Sequence, residues 1–344
     1  MTAAGAFPIT ESSQVAAARR AVLWLAEQLG FREERSGRAA LIVTELATNL
    51  VKHARGGEIL LRVLTSPTGE PDGIEIVAVD TGPGMTDLAR SRSDGFSTAG
   101  TLGHGLGAIE RQADAFDLYT QPSGTSIVAA VYRDSAQTSA PSGERYEVGA
   151  VHVAKSGEDV CGDDWAWRMR TGRLAILVAD GLGHGLHAHE AARAARNVFA
   201  KEHEHAPAHV VSGVHAALRA SRGAAVAMID VDLDRGTARY TGLGNIASTI
   251  VTSTGKHQHL VSQNGTAGHT AGRIHEFNYA VPAGSVIVMA SDGLGTHWSL
   301  SPYPGLHVRS ASTIAAILYR DFSRRRDDVT VVVAKERRPS AEKQ

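Results

Sequence analysis

The stretch ELATNLVKHA, residues 45–54, decides how the first part of the chain is read. Glu45 and Asn49 stand one helical turn apart and share a face, with Lys52 and His53 one turn further on. Working outward, residues 12–29 carry Val15, Val22, Leu25 and Leu29 at helical spacing and stop at Gly30, so a helix is expected there. The helix bearing Glu45 and Asn49 is expected over residues 37–54. Residues 58–64 and 74–80 read as strands, followed by a long glycine-rich loop, a helix near residues 106–113 and strands at 116–120 and 125–132. Helices packed on one face of a mixed sheet give an α/β sandwich.

A carboxylate and an amide on one helix face can divide the work around a magnesium-bound triphosphate. The amide oxygen ligates the hard cation, and the carboxylate handles a proton or positions a water. The same pair could equally be the solvated stripe of an amphipathic helix, so the neighbouring motifs decide. The strand IEIVAVD ends at Asp80 and runs into DTGPGM, where a strand-end carboxylate can accept a hydrogen bond from an exocyclic amine while Gly82 and Gly84 let a base approach the backbone. In GTLGHGLGAI, residues 100–109, Gly103, Gly105 and Gly107 precede a helix and offer free amides to phosphates.

The chain has 344 residues, 43% of them hydrophobic, which suits two domains rather than one. The run DSAQTSAPSGER, residues 134–145, has the composition of an exposed linker, so the expected domains are residues 1–133 and 146–334, with a loose charged tail at 335–344. A net charge of -1 with scattered Lys and Arg gives no footprint for nucleic acid or an anionic membrane. Cys161 is the only cysteine, which excludes an internal disulfide and a cysteine zinc cluster and fits a reducing compartment. With no signal-peptide pattern and no stretch near the ~20 apolar residues of a membrane span, a cytoplasmic location is expected.

The second part is richer in strands, expected at residues 147–154, 174–179, 224–232, 237–242, 247–252, 286–290 and 329–334, with helices at 186–202, 208–220 and 312–322. Two sheets flanked by helices account for them. Acidic residues stand beside glycines or apolar strands in CGDDW around Asp163, DGLGHG from Asp180, SDGL around Asp292 and RDDVT around Asp327. Asp-Gly pairs taken singly mark ordinary turns. Jointly, carboxylates at strand ends can converge on two hard cations, and hydroxide generated between them could attack phosphorus in line. His187 and His189 in HGLHAHE are two apart on a helix and point away from each other, which argues against a zinc site.

In the first part, the order E-x-x-x-N, D-x-G-x-G, G-x-G-x-G resembles the N, G1 and G2 boxes of the GHKL ATPase/kinase superfamily, and within it the RsbT-like anti-sigma-factor kinase branch. The resemblance implies a GHKL α/β sandwich that binds ATP and Mg2+. It makes Asn49 the Mg2+ ligand, Glu45 the catalytic base, Asp80 the reader of the adenine amine and residues 81–107 the ATP lid. The implied nucleotide pocket also takes in Lys52, His53, Gly82, Gly84, Thr98, Gly103, His104, Gly105, Leu106, Gly107 and Thr125. His104 and Ala108 depart from the Leu and Pro of RsbT-like chains, which bears on ATP affinity and turnover. The second part resembles type-2C metal-dependent protein phosphatases of the SpoIIE-like branch, on DGLGHG with His184 and on GLGN ending at Asn245. Compact RsbX-like members are nearest. That resemblance implies an αββα sandwich with Mn2+ or Mg2+ held by Asp163, Asp180, Asp292 and Asp327 and by the Gly181 carbonyl, Asp180 bridging both ions and serving catalysis. Asp164 and Asp328 are adjacent acids that could take over from their neighbours.

A kinase joined to a phosphatase suggests reversible Ser/Thr phosphorylation of a shared partner. The resemblance implies a STAS-domain antagonist or stressosome-type scaffold, with a sigma factor or partner kinase as a further binding partner. The alternative is a phosphatase whose first domain binds ATP and a partner without transferring phosphate.

Overall fold

The structure is a computed structural model and describes residues 5–85, 105–134 and 146–337. The chain divides into two compact units, Met1–Ser66 with Glu70–Gly143, and Glu144–Gln344 with Pro67–Gly69. No described helix is long and apolar enough to cross a membrane.

The first unit contains β1 (Gly5–Ile9), α1 (Ser12–Gln28), α2 (Glu33–His53), β2 (Gly57–Thr65), β3 (Pro71–Val79), α3 (Leu106–Gln112), β4 (Ala115–Gln121) and β5 (Gly124–Tyr132). Helix α1 opens where the Gln14 side chain reaches back to the Glu11 amide at 3.0 Å, supplying a partner to an otherwise orphan donor. Along α2, Ile42, Val43, Leu46 and Leu50 repeat on one face and are buried in a core with Ile59, Ile74, Ile76 and Ile127 of the sheet. Burying each such side chain contributes on the order of 1.5–3 kcal/mol.

The sheet order is β1-β2-β3-β5-β4 and every pairing is antiparallel, which corrects the expectation of a mixed sheet. The connection through α3 returns one strand further out, leaving β5 between β3 and β4, so no parallel neighbours arise. Two further differences concern the ends. Strand β1 was not legible, and it tolerates Pro8 because it lies at the sheet edge. Helix α2 starts at Glu33, ahead of the expected residue 37, because Glu33 and Glu34 suit its positive end and Arg35 is anchored to Asp114 at 2.7 Å.

The second unit is an αββα sandwich. One sheet runs β13-β10-β9-β8-β7, with β16 paired to β10, and includes β7 (Asp163–Arg170), β8 (Arg173–Gly181), β9 (Ala224–Asp232), β10 (Thr237–Leu243), β13 (Ser262–Gln263) and β16 (Phe277–Ala280). The other runs β12-β11-β17-β18-β6, from β6 (Tyr146–Val153), β11 (Ala247–Val251), β12 (His257–His259), β17 (Val286–Ala290) and β18 (Val329–Glu336). A small hairpin joins β14 (Gly265–Thr266) to β15 (Thr270–Ala271). Trp167, Ile176, Val178, Ile229, Tyr240, Ile287 and Val332 fill the space between the two large sheets. Helices α4 (Leu186–Glu202) and α5 (Pro207–Ala217) cover the first, and α6 (Ala311–Phe322) packs on β6 and β18 of the second.

Strand β7 differs from expectation, because its alternation of Trp165, Trp167 and Met169 with Ala166, Arg168 and Arg170 is short, polar on one face and opens on two acidic residues. The last strand runs past Ala334, and Lys335 is buried with its Nζ donating to the His307 and Arg309 carbonyls at 2.9 and 2.6 Å, so the tail does not begin there.

Candidate sites in the two units

In the first unit, Glu45 and Asn49 lie half-buried on α2, while Lys52 and His53 are exposed in its last turn. Helix α2 packs against β3 and α3, which brings this end of the helix to the end of β3. Gly82 sits directly against the Ala54 backbone, where an added methyl would come within 2.9 Å of the Ala54 Cα. Asp80 follows β3, and its Oδ1 accepts from the Gly82 amide at 2.8 Å and the Thr125 amide at 3.2 Å. The Asp80 amide in turn donates to the Thr125 carbonyl at 3.0 Å. The Thr125 hydroxyl meets that of Thr120 at 3.0 Å, and the Met85 amide donates to Thr120 Oγ1 at 2.9 Å.

Gly84 has φ +70°, and a side chain there would collide with the Gln121 carbonyl, so only glycine carries the chain through this turn. Gly105 precedes α3, with Leu106 and Gly107 buried. Hydrogen bonds thus join Asp80, Gly82 and Thr125, and Gly82 lies against Ala54, just past the end of the helix that carries Asn49, Lys52 and His53, while Gly84 lies against Gln121. Thr98, Gly103 and His104 lie outside the described residues.

The second site sits where the space between the two large sheets opens at one end. Strand alternation explains it: Trp167 and Trp165 face the core and so does Asp163, Ile176 and Val178 face it and so does Asp180, and Val332 and Thr330 continue inward to Asp328. Asp163 and Asp180 are direct cross-strand partners. Asp163 is 1% exposed, and neither of its carboxylate oxygens has a hydrogen-bond partner. The Ser291 and Thr330 hydroxyls stand close enough to favour its charged form, yet neither completes a hydrogen bond to it. Asp328 is equally buried: Oδ1 accepts from the Lys155 amide at 2.9 Å and Oδ2 is orphaned.

Asp292 is partly buried and accepts from Asn245 Nδ2 at 2.8 Å. Asp327 is exposed and caps the Asp328 amide at 3.0 Å. Asp164 points to the other face, paired with Arg196 of α4 at 2.8 Å. Gly181 is pressed against α4 so closely that a methyl group would collide with the Ala188 carbonyl.

These carboxyls act on one another. Burial, then Asp163, Asp292, Asp327 and Asp328, push Asp180 up to about 9. Burial, offset by the two hydroxyls and reinforced by Asp328 and Asp292, pushes Asp163 up to about 7. Asp292 is raised by burial and then by Asp327. Among the described residues no three His, Cys, Asp or Glu side chains form a finished metal cage. Electrostatic coupling reaches further than coordination distance, and hard cations commonly complete their shells with water and backbone carbonyls. Orphaned, buried, mutually repelling carboxylate oxygens are the donor set that hard divalent cations fit.

The residues around the cluster have partners of their own, and His152 among them was not expected from sequence. His189 Nδ1 meets the Cys161 carbonyl at 2.9 Å, bracing the segment before Asp163. The buried Cys161 thiol is pushed well up by burial, then by Asp163 and Asp328, so it stays protonated. His152 contacts the Thr330 hydroxyl at 3.0 Å, and burial pushes its pKa down. His184 pairs with Glu158 and His187 with Glu190, so the three imidazoles of the His-rich stretch diverge.

The fold and sites define a two-domain α/β protein with a GHKL-like first unit and a second unit of type-2C phosphatase fold. Residues 7–131 match the histidine kinase-like ATPase domain family and residues 170–337 match the stage II sporulation protein E (SpoIIE) family. Serine/threonine-protein kinase RsbT of Bacillus subtilis (strain 168) is 35% identical over 116 residues, covering 33% of this chain and 86% of its own. Phosphoserine phosphatase RsbX of the same organism is 21% identical over 193 residues, covering 55% of this chain and 94% of its own. A crystal structure of RsbX in complex with magnesium superposes with a TM-score of 0.50 at 20% identity, over 56% of this chain and 96% of that one. A structure described under the bacterial stressosome gives a TM-score of 0.52 at 27% identity, over 56% of this chain and all of that one. The chain therefore belongs to the histidine kinase-like ATPase family through its first unit and carries a SpoIIE phosphatase domain as its second.

Proposed function

We propose that this protein both adds phosphate to and removes it from serine or threonine of a partner protein, as a regulator of the partner-switching kind, with domains at 1–133 and from 146 to the end of β18 at Glu336. The observation that supports it most is Asp163, buried opposite Asp180 with neither carboxylate oxygen satisfied. In this reading Asp163, Asp180, Asp292 and Asp327, with the Gly181 carbonyl, would hold Mn2+ or Mg2+, and Asp180 would also serve catalysis. Asp328 reinforces the negative field. Bound there, the ions supply positive charge for the phosphoryl oxygens and acidify water. Asn245 fixes the orientation of Asp292, and Gly181 permits the close approach of α4 that sets the strand ends.

In the first unit Asn49 holds Mg2+, Glu45 takes the proton of the attacking hydroxyl, and Asp80, oriented by two backbone amides, reads the adenine amine. Transfer moves the γ-phosphoryl of ATP to the hydroxyl oxygen and leaves ADP. RsbT, RsbX and the stressosome structure together support a STAS-domain protein as the shared partner.

The test follows phosphate on candidate STAS-domain proteins, first with Mg-ATP and then with Mn2+ after ATP removal. Label that appears only with intact Asn49 and disappears only with intact Asp180 supports both activities. If label never appears while Asp180-dependent loss is normal, the first unit captures ATP and a partner without transferring phosphate.

A further inference from the structure

At the opposite end of β8 from Asp180, the second unit has a polar cavity of about 320 Å³, lined by Arg173, Arg235, Arg239, Thr237 and Asn278 with Asp230 and Asp232. Strand register places these groups together. Arg173, Asp232 and Thr237 form one cross-strand row on β8, β9 and β10, and Asp230, Arg239 and Asn278 form the next on β9, β10 and β16. Both rows share the sheet face that bears Ala175, Leu177 and Met228, the face covered elsewhere by α4 and α5. Arg173 and Asp180 are seven residues apart on one strand, about 23 Å at the usual strand rise, so this cavity is separate from the acidic site.

Asp230 is fully buried and already saturated. Arg173 grips it with two bonds of 3.1 and 2.6 Å, and Arg239 adds a third of 2.6 Å. Asp232 is shared between Arg173 at 3.3 Å and Arg235 at 3.7 Å. The cavity wall itself carries three guanidinium groups, Arg173, Arg235 and Arg239, against two carboxylates, Asp230 and Asp232, with Glu276 4.0 Å from Arg239 and the Asp234 carboxylate over Gly172 at its edge. Of the lining groups, the buried Nε of Arg239 finds no acceptor, and the Arg235 side chain is 81% exposed at the cavity rim. The buried carboxylates hold guanidinium groups in place; they do not use up their donors.

We propose that this cavity is a second anion site that binds a phosphate monoester. A tetrahedral dianion with three acceptor oxygens suits forked guanidinium donors flanked by a hydroxyl and an amide. The volume admits a phosphoryl group and the residue that carries it. The ligand is either inorganic phosphate or a phosphorylated side chain, since both present the same group.

The test is calorimetric titration of the full chain in EDTA with inorganic phosphate, with O-phosphoserine and with serine, so that binding is read without any catalytic turnover. The comparison protein is the double variant Arg235→Ala/Asn278→Ala, both exposed positions, with Arg239→Lys as a second probe and the melting temperature checked for each. Saturable binding that weakens about tenfold in the double variant at unchanged melting temperature is the expected result. Phosphate and phosphoserine binding alike identify the phosphoryl group as what is read. Phosphoserine alone makes a phosphoprotein the source, and phosphate alone makes it released product. Absence of saturable binding by either, or equal affinity in wild type and all variants, overturns the proposal.

Discussion

Asp80 and Asp163 both stand at strand ends, and their surroundings are opposite. Asp80 has one oxygen held by two backbone amides, so its orientation is fixed before any ligand arrives. Asp163 is more deeply buried, has no hydrogen bond to either oxygen, and faces other carboxyls. A carboxylate clamped by amides is suited to reading one hydrogen-bonding group at a defined angle. A carboxylate stripped of donors among like charges takes up a proton or a cation, because either relieves its desolvation and repulsion.

The contrast can be broken most sharply by Asp180→Asn. Phosphate release from a labelled partner should fall by at least about 100-fold while ATP-dependent labelling persists. Turnover at the wild-type rate would remove the acidic cluster from the reaction. Asp80→Ala should act on the other unit alone: displacement of a fluorescent nucleotide should show ATP affinity reduced by about tenfold or more, with phosphatase turnover unchanged.

Gly181→Ala forces a methyl group into the Ala188 carbonyl and should cost about 1–3 kcal/mol in the second unit, read by denaturant unfolding. Unchanged stability there would mean that α4 and the end of β8 are not wedged together.

The smallest effect is a pH dependence of the metal-free protein. Asp163 and Asp180 are raised to about 7 and about 9 from 3.8, so each binds its proton more tightly folded than unfolded. Their contribution to stability is full below 3.8 and is lost as pH climbs through about 7 and about 9. The melting temperature of wild type relative to Asp163→Asn should therefore decline from pH 5 towards pH 9 in EDTA, by roughly a few degrees. Added Mn2+ should reverse the trend, because it competes with those protons. A difference that is flat with pH would show that the carboxyls do not share one field.

Much of this was legible before the structure. The helix at Leu186–Glu202 and the strands at Ala224–Asp232 and Val286–Ala290 fall where apolar periodicity placed them, because each is buried on a continuous face. The choice between Asp327 and Asp328 was less clear from motif matching, although alternation back from Val332 through Thr330 points Asp328 inward. Strand β1 escaped because its proline weakens the pattern, and edge position, which excuses the proline, is a property of the sheet.

By itself the sequence determined the two-part organisation, the periodicities of the main helices and strands, and the order of motifs that carries both family resemblances. Those are local or serial properties, written in spacing and composition. Only the tertiary structure decided that the first sheet is antiparallel throughout, that Asp163 is left without a donor, and that Arg173, Arg239 and Asn278 meet across four strands. Register between distant strands sets each of these, and it depends on how whole faces pack rather than on any one stretch of chain.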